Sequence, residues 1–226
     1  MGYNKTDMKN DMITSPEILT EYAEKYGFLP FFKNSIPGFS VEEKCPADLW
    51  FTDKPGPWEW KGPVIRGGKC AYGKFFQNKA VYVSLEILPY LCSLRRDGYD
   101  FDARCDDELV FYRDKEIYEI IQKHGVIVSK QLRKLSGDDK SFDKYITRLQ
   151  MQTYVTVKDF VYEQSKDGKP YGWGVAVYTT PEQLYGRELI TSQYKTPPEQ
   201  CRKIIVEKIR SHFPESDEKA ILKLIK

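Results

Sequence analysis

The sequence predicts an α+β protein built around one winged helix-turn-helix, with an aromatic-rich N-terminal region and C-terminal helices packed on it. Three observations carry that expectation. Phe142, Tyr145, Ile146 and Leu149 repeat at i, i+3, i+4 and i+7, so residues 141–151 make an amphipathic helix. β-branched and aromatic residues then crowd two runs, 154–162 and 171–178, across a polar turn containing Asp167-Gly168, which spells a hairpin. Ahead of both lie a helix, a short strand and a second helix, so residues 113–180 have the element order of a winged helix.

Taken in order, residues 1–14 are polar, lack the apolar core of a signal peptide, and are expected to form a disordered tail. Ser15-Pro16-Glu17 supplies an N-cap, a proline at N1 and an acid in the first turn of a helix that Gly27 stops. Phe28, Phe31, Phe32, Phe39, Trp50, Phe51, Trp58 and Trp60 follow, interleaved with six prolines (Pro30, Pro37, Pro46, Pro55, Pro57 and Pro63). Proline at that density argues against long helices, so this stretch reads as a loop-rich aromatic layer with short helices at 40–44 and 46–51. Such rings pack or stack nucleobases. Residues 70–76 and 80–83 read as a hairpin joined around Gln77-Asn78-Lys79, and Ser84 as the cap of a helix distorted by Pro89.

Between Arg95 and Leu109 six acids (Asp97, Asp100, Asp102, Asp106, Asp107 and Glu108) face three arginines (Arg95, Arg96 and Arg104). Two readings stand: structural ion pairs and caps, or a general acid and base centred on Asp100 or Asp102, which share one side of an extended segment. Ile117, Ile120 and Ile121 mark a helix over 114–124, residues 126–128 a short strand, and Ser129 to Leu135 the next helix. Beyond residue 180 periodicity fades until helices from Pro198 and from Ser216, which form a C-terminal segment over 181–226; the N-terminal region runs from 15 to 112.

Composition narrows the chemistry. Of 226 residues, 41% are hydrophobic, 30% charged and 14% aromatic, which suits a soluble, cytoplasmic, folded chain without a membrane span. The five cysteines are scattered with no C-x-x-C pair, and there are two histidines, so no metal or other cofactor is expected. A net charge of +2 announces no nucleic-acid binder, but residues 129–151 carry six positive charges against three negative. Lys130, Arg133, Lys134, Lys144 and Arg148 on the two helices, with Lys166 and Lys169 on the wing, are the candidate contacts to double-stranded DNA.

Five stretches, GFLPFF (27–32), IPGFSVEE (36–43), AYGKFF (71–76), RRDGYDFDAR (95–104) and RLQMQTYV (148–155), resemble a bacterial group of AlkZ-related proteins. These are distant relatives of the winged-helix DNA glycosylases of the AlkZ/YcaQ type, and the likeness covers about residues 28–186. Those glycosylases use a Gln, an apolar residue and a Gln in catalysis, and Gln150-Met151-Gln152 has the same spelling. The resemblance implies that Gln150 and Gln152 hydrolyse N-glycosidic bonds of alkylated bases. An alkylated base is a cationic leaving group, so two neutral amides suffice to orient water and steady the sugar. The base would first be flipped from the duplex. The chain departs from the glycosylases in length, with one winged helix where they carry several and a β-barrel. A DNA-binding module without catalysis, or a protein-interaction scaffold, is the alternative.

Overall fold

A computed structural model describes residues 12–52, 54–137, 140–168 and 170–226. The protein is a mixed α/β fold around a six-stranded antiparallel sheet. The strands are β1 (Phe28–Pro30), β2 (Cys70–Phe76), β3 (Lys79–Ser84), β4 (Ile127–Val128), β5 (Thr156–Gln164) and β6 (Pro170–Thr179). They lie side by side in the order β1-β3-β2-β5-β6-β4. The sheet therefore joins two pieces of chain that the sequence separates at residue 112. The seam is narrow: Tyr72 pairs with Val157, and the Thr156 hydroxyl donates to the Tyr72 carbonyl at 3.0 Å. β2 and β3 are linked by Gln77 and Asn78, both with positive φ, the backbone of a tight two-residue turn.

Local signals explain most of the first half. Helix α1 (Pro16–Tyr26) starts as its cap predicts, with the Ser15 hydroxyl accepting from the Ile18 N–H at 3.3 Å. Ile13, inside the stretch expected to be a disordered tail, is fully buried and its N–H donates to the Lys44 carbonyl at 2.9 Å; residues 1–11 of that stretch lie outside the described residues. After α2 (Val41–Lys44) and a 3-10 turn at Ala47–Leu49 comes a ten-residue helix, α3 (Pro57–Arg66), where prolines had suggested loop. Pro57 sits at the N-terminus, where no N–H is needed, and Glu59 reaches back to accept from the Gly56 N–H at 2.9 Å. A Cβ on Gly56 would lie 2.0 Å from the Leu49 carbonyl oxygen, so glycine is what lets the turn and the helix touch. Pro63 forfeits one backbone bond, which packing of α3 on β2 and β5 offsets.

Three further expectations change. Ser84 ends β3 and does not cap a helix; α4 (Leu88–Arg96) begins four residues later with Pro89 in its first turn, where proline distorts nothing. Asp100 to Asp106 is not extended, because Phe101–Asp106 forms α5 with Asp100 at its cap, so Asp100 and Asp102 do not share a side in the way alternation implied. The aperiodic stretch after residue 180 folds as two single-turn helices, α9 (Pro181–Tyr185) and α10 (Arg187–Thr191). Each is too short to display a helical period.

The expected element order is present between: α6 (Tyr112–His124), β4, α7 (Ser129–Leu135), α8 (Phe142–Met151), then β5 and β6. β4 pairs with β6 through Ile127↔Tyr178 and Val128↔Val177, which brings the short strand to the edge of the hairpin. Phe142, Ile146 and Leu149 of α8 are all buried, packed towards α6 and β2. The chain ends in α11 (Pro198–His212), laid along α4, and α12 (Glu218–Leu224). Among the described residues no helix is long and apolar enough to cross a membrane.

Candidate functional site

The glutamine pair sits where α8 ends. Gln150 is buried inside the last turn; its Oε1 accepts from the Lys74 N–H at 3.0 Å and its Nε2 donates to the Ile146 carbonyl at 3.2 Å. Both ends of that amide are thus spent on backbone, and they tie α8 to β2. Gly73 makes room for it, since a Cβ there would come within 3.2 Å of Gln150 Oε1 and 2.8 Å of the Phe75 ring. Replacing Gln150 by alanine would leave the part-buried Lys74 N–H without its acceptor, and should destabilise the protein by about 1–3 kcal/mol. Thermal unfolding checks this; an unshifted midpoint would contradict it.

Gln152 differs. It is half-buried, stands at the helix cap, and its side chain bonds to none of the described residues. Directly after it Thr153 adopts φ +64°, a left-handed conformation that a β-branched residue rarely takes. The cause is Arg96, fully buried at the end of α4: Nε donates to the Thr153 hydroxyl at 3.0 Å, one terminal nitrogen to the Thr153 carbonyl, and the other to Glu182 and to the Tyr194 hydroxyl at 2.8 Å. Its guanidinium also covers the Tyr154 ring at 4.5 Å. This side chain, which the sequence had placed in a cluster read as structural ion pairs and caps, sets the direction of the chain leaving Gln152. Only a residue separation of 57 connects the two, so no local signal could reveal it.

Asp102 lies in the first turn of α5, exposed and without a hydrogen bond among the described residues, where its charge suits the helix N-terminus. Asp100 is paired with Arg187. Among the described residues no group of His, Cys, Asp and Glu is placed to hold a metal ion. A groove of about 730 Å³ between α4, α11 and α12 is lined by Leu94, Val206, Leu222, Arg95 and Arg202 among others, and by none of the candidate site residues.

The candidate DNA contacts divide. Lys130 pairs with Glu163 across to β5, and Arg133 pairs with Asp143 at 2.7 Å while covering the Phe142 ring. Arg148 grips the buried Asp114 of α6 with two nitrogens, one at 2.7 Å, and lies 4.2 Å over the Phe111 ring. Lys134, Lys144 and Lys166 are exposed and have no acidic partner among the described residues; Lys169 lies outside them.

The model of a family described as AlkZ related matches residues 13–226. The chain belongs to the AlkZ-related family. No curated protein and no solved structure matches it. The AlkZ-related match reaches past the 28–186 stretch in which the sequence likeness was seen, and takes in both α11 and α12. In this AlkZ-related chain the two glutamines of the motif are not equivalent: Gln150 is bonded to backbone at both ends of its amide, and the Gln152 side chain bonds to none of the described residues.

Proposed function

We propose that this protein binds double-stranded DNA through residues 112–179, with α6, β4, α7 and α8 as a winged helix-turn-helix and the β5–β6 hairpin as its wing, in the recognition of alkylated DNA. The observation that carries the reading is the set of three uncommitted lysines, Lys134, Lys144 and Lys166, one on each of α7, α8 and the hairpin turn. Their neighbours Lys130, Arg133 and Arg148 have carboxylate partners and serve the unit itself. Three phosphate contacts give weak, salt-sensitive binding, in keeping with a nearly neutral chain. Replacing the three lysines by alanine should flatten the slope of log affinity against log salt by about 2.7 on duplex DNA, at roughly 0.9 per phosphate. Fluorescence anisotropy across a salt series reads this, and an unchanged slope would sink the surface.

Base excision is the second reading, favoured by the free amide of Gln152 beside a fixed, strained backbone. A lone amide can still orient a water against a cationic leaving group. Purified protein would then release N7- or N3-alkylated bases from duplex DNA, and Gln152→Ala would abolish release while leaving the melting temperature unchanged. Binding without release from any alkylated substrate makes the protein a non-catalytic module; loss of both leaves protein interaction as the role.

A further inference from the structure

Among the described residues, three acids and five bases line the groove between α4, α11 and α12, and their charges do not cancel. Glu199 is bonded by Arg202 at 2.6 Å, Glu218 by Arg210 at 2.7 Å, and Glu207 lies 3.8 Å from Lys203. Arg95 and Lys226 remain, and neither pairs with an Asp or Glu among the described residues. Lys226 is exposed, whereas Arg95 is half-buried and fixed in place. One terminal nitrogen, Nη1, donates to the Lys226 carbonyl at 2.6 Å; the other, Nη2, donates to the carbonyls of Ile225 at 2.6 Å and Phe75 at 3.2 Å. A guanidinium has more N–H groups than these bonds use. One on Nη1 is unspent, and so is that on Nε, which is buried without an acceptor. Burial, and then the like charge of Arg202, bring the guanidinium down to about 10, so it is charged at neutral pH. A partly desolvated cation held by main-chain oxygens gains from an anion beside it.

The rest of the lining says what the anion is attached to. Leu94, Val206, Leu222 and Ile225 make the apolar part, and none of the described residues around the groove is aromatic. Nucleobases are held by stacking on rings, so an aliphatic wall suits an alkyl chain better. A volume of about 730 Å³ is in the range that takes up a small organic molecule. Glu199, Glu207 and Glu218 stand around the same space and repel a second negative charge, which favours a monoanion over a phosphate dianion.

We propose that this groove binds an aliphatic monocarboxylate of medium chain length, its carboxylate on Arg95 and Arg202 and its alkyl chain along Leu94, Val206, Leu222 and Ile225. The ligand touches three helices, and two of them, α4 and α12, are already joined through the Arg95 bonds. Occupancy therefore holds the C-terminal helices against the body of the protein and raises the melting temperature by mass action. None of the glutamines or lysines assigned to DNA lines the groove, so this site stands or falls apart from that reading.

Isothermal titration of the full chain with octanoate, decanoate and dodecanoate, each below its micelle concentration, tests the proposal. Saturable binding is expected, tightening by up to about fourfold for each added CH₂ until the groove is full. Decanol, decyltrimethylammonium and decyl phosphate vary the head group and should bind roughly fivefold or more weakly than decanoate. Arg95→Gln should weaken decanoate by about tenfold or more, the worth of a charge-assisted bond. Because Arg95 also ties down the end of the chain, circular dichroism is read alongside. Arg202→Glu, a change at the exposed rim that leaves the fold intact, should cost roughly fivefold or more and bring decyltrimethylammonium above decanoate. An absence of heat at millimolar decanoate, or decanoate affinity unchanged in Arg202→Glu, overturns the site. Equal binding of decanol overturns the anion, tighter decyl phosphate overturns the monoanion, and tighter adenosine monophosphate overturns the aliphatic body.

Discussion

Replacing Arg96 by methionine will lower the unfolding free energy by about 3–5 kcal/mol, the usual cost of removing one partner from a buried ion pair. The side chain is fully buried, and four acceptors converge on it: the hydroxyl and carbonyl of Thr153, a Glu182 carboxylate oxygen and the Tyr194 hydroxyl. Methionine fills much of the volume and satisfies none of them. Glu182 already has one buried oxygen without a partner, so losing Arg96 leaves the whole carboxylate uncompensated. Thr153 would also lose the two bonds that hold φ at +64°, and with them the orientation of Gln152. Equilibrium urea unfolding measures the loss, and the m-value should stay constant if the folded ensemble is otherwise intact. A change below about 1 kcal/mol, the size of an ordinary substitution, would show that this network does not hold the fold.

Arg148→Ala will cost a similar amount, about 3–5 kcal/mol, and for the same reason. Asp114 is 1% exposed and both of its oxygens accept from Arg148; alone, the carboxylate would be a buried charge. Arg148 was also a reasonable candidate for touching phosphate, so the single variant should lose DNA binding through loss of fold. The pair Asp114→Leu with Arg148→Met separates the two effects, because replacing a buried ion pair by apolar groups of similar size is often neutral or stabilising. The double variant should regain most of the stability and bind DNA within about twofold of the parent, the few tenths of a kcal/mol expected of sites without shared partners. Recovered stability without recovered binding would return Arg148 to the DNA surface.

Much of the candidate site was readable in the chain, though not its division of labour. The motif Gln150-Met151-Gln152, the helix that carries it and the hairpin that follows were all visible from periodicity and residue type. That Gln150 is bound to β2 was not, since Lys74 stands 76 residues away and offers a backbone N–H that every residue has. Among the basic residues the sequence could count charges but not partners. Lys130 and Glu163, or Arg148 and Asp114, meet only when the helices are laid against one another.

The sequence by itself determined where the helices and strands of residues 112–179 fall, the cap at Ser15, and membership of a family whose match runs from residue 13 to 226. These depend on neighbours within one or two turns of chain, where propensity and period act. Only the tertiary structure decided that one sheet runs through both halves, that prolines 57 and 63 belong to a helix, and that Gln150 is bonded to backbone while the Gln152 side chain bonds to none of the described residues. Each of those outcomes hangs on a contact between distant segments, a bonded carbonyl, a buried guanidinium or a ring edge. Such contacts are set by how the packed elements share space and leave no period in the chain.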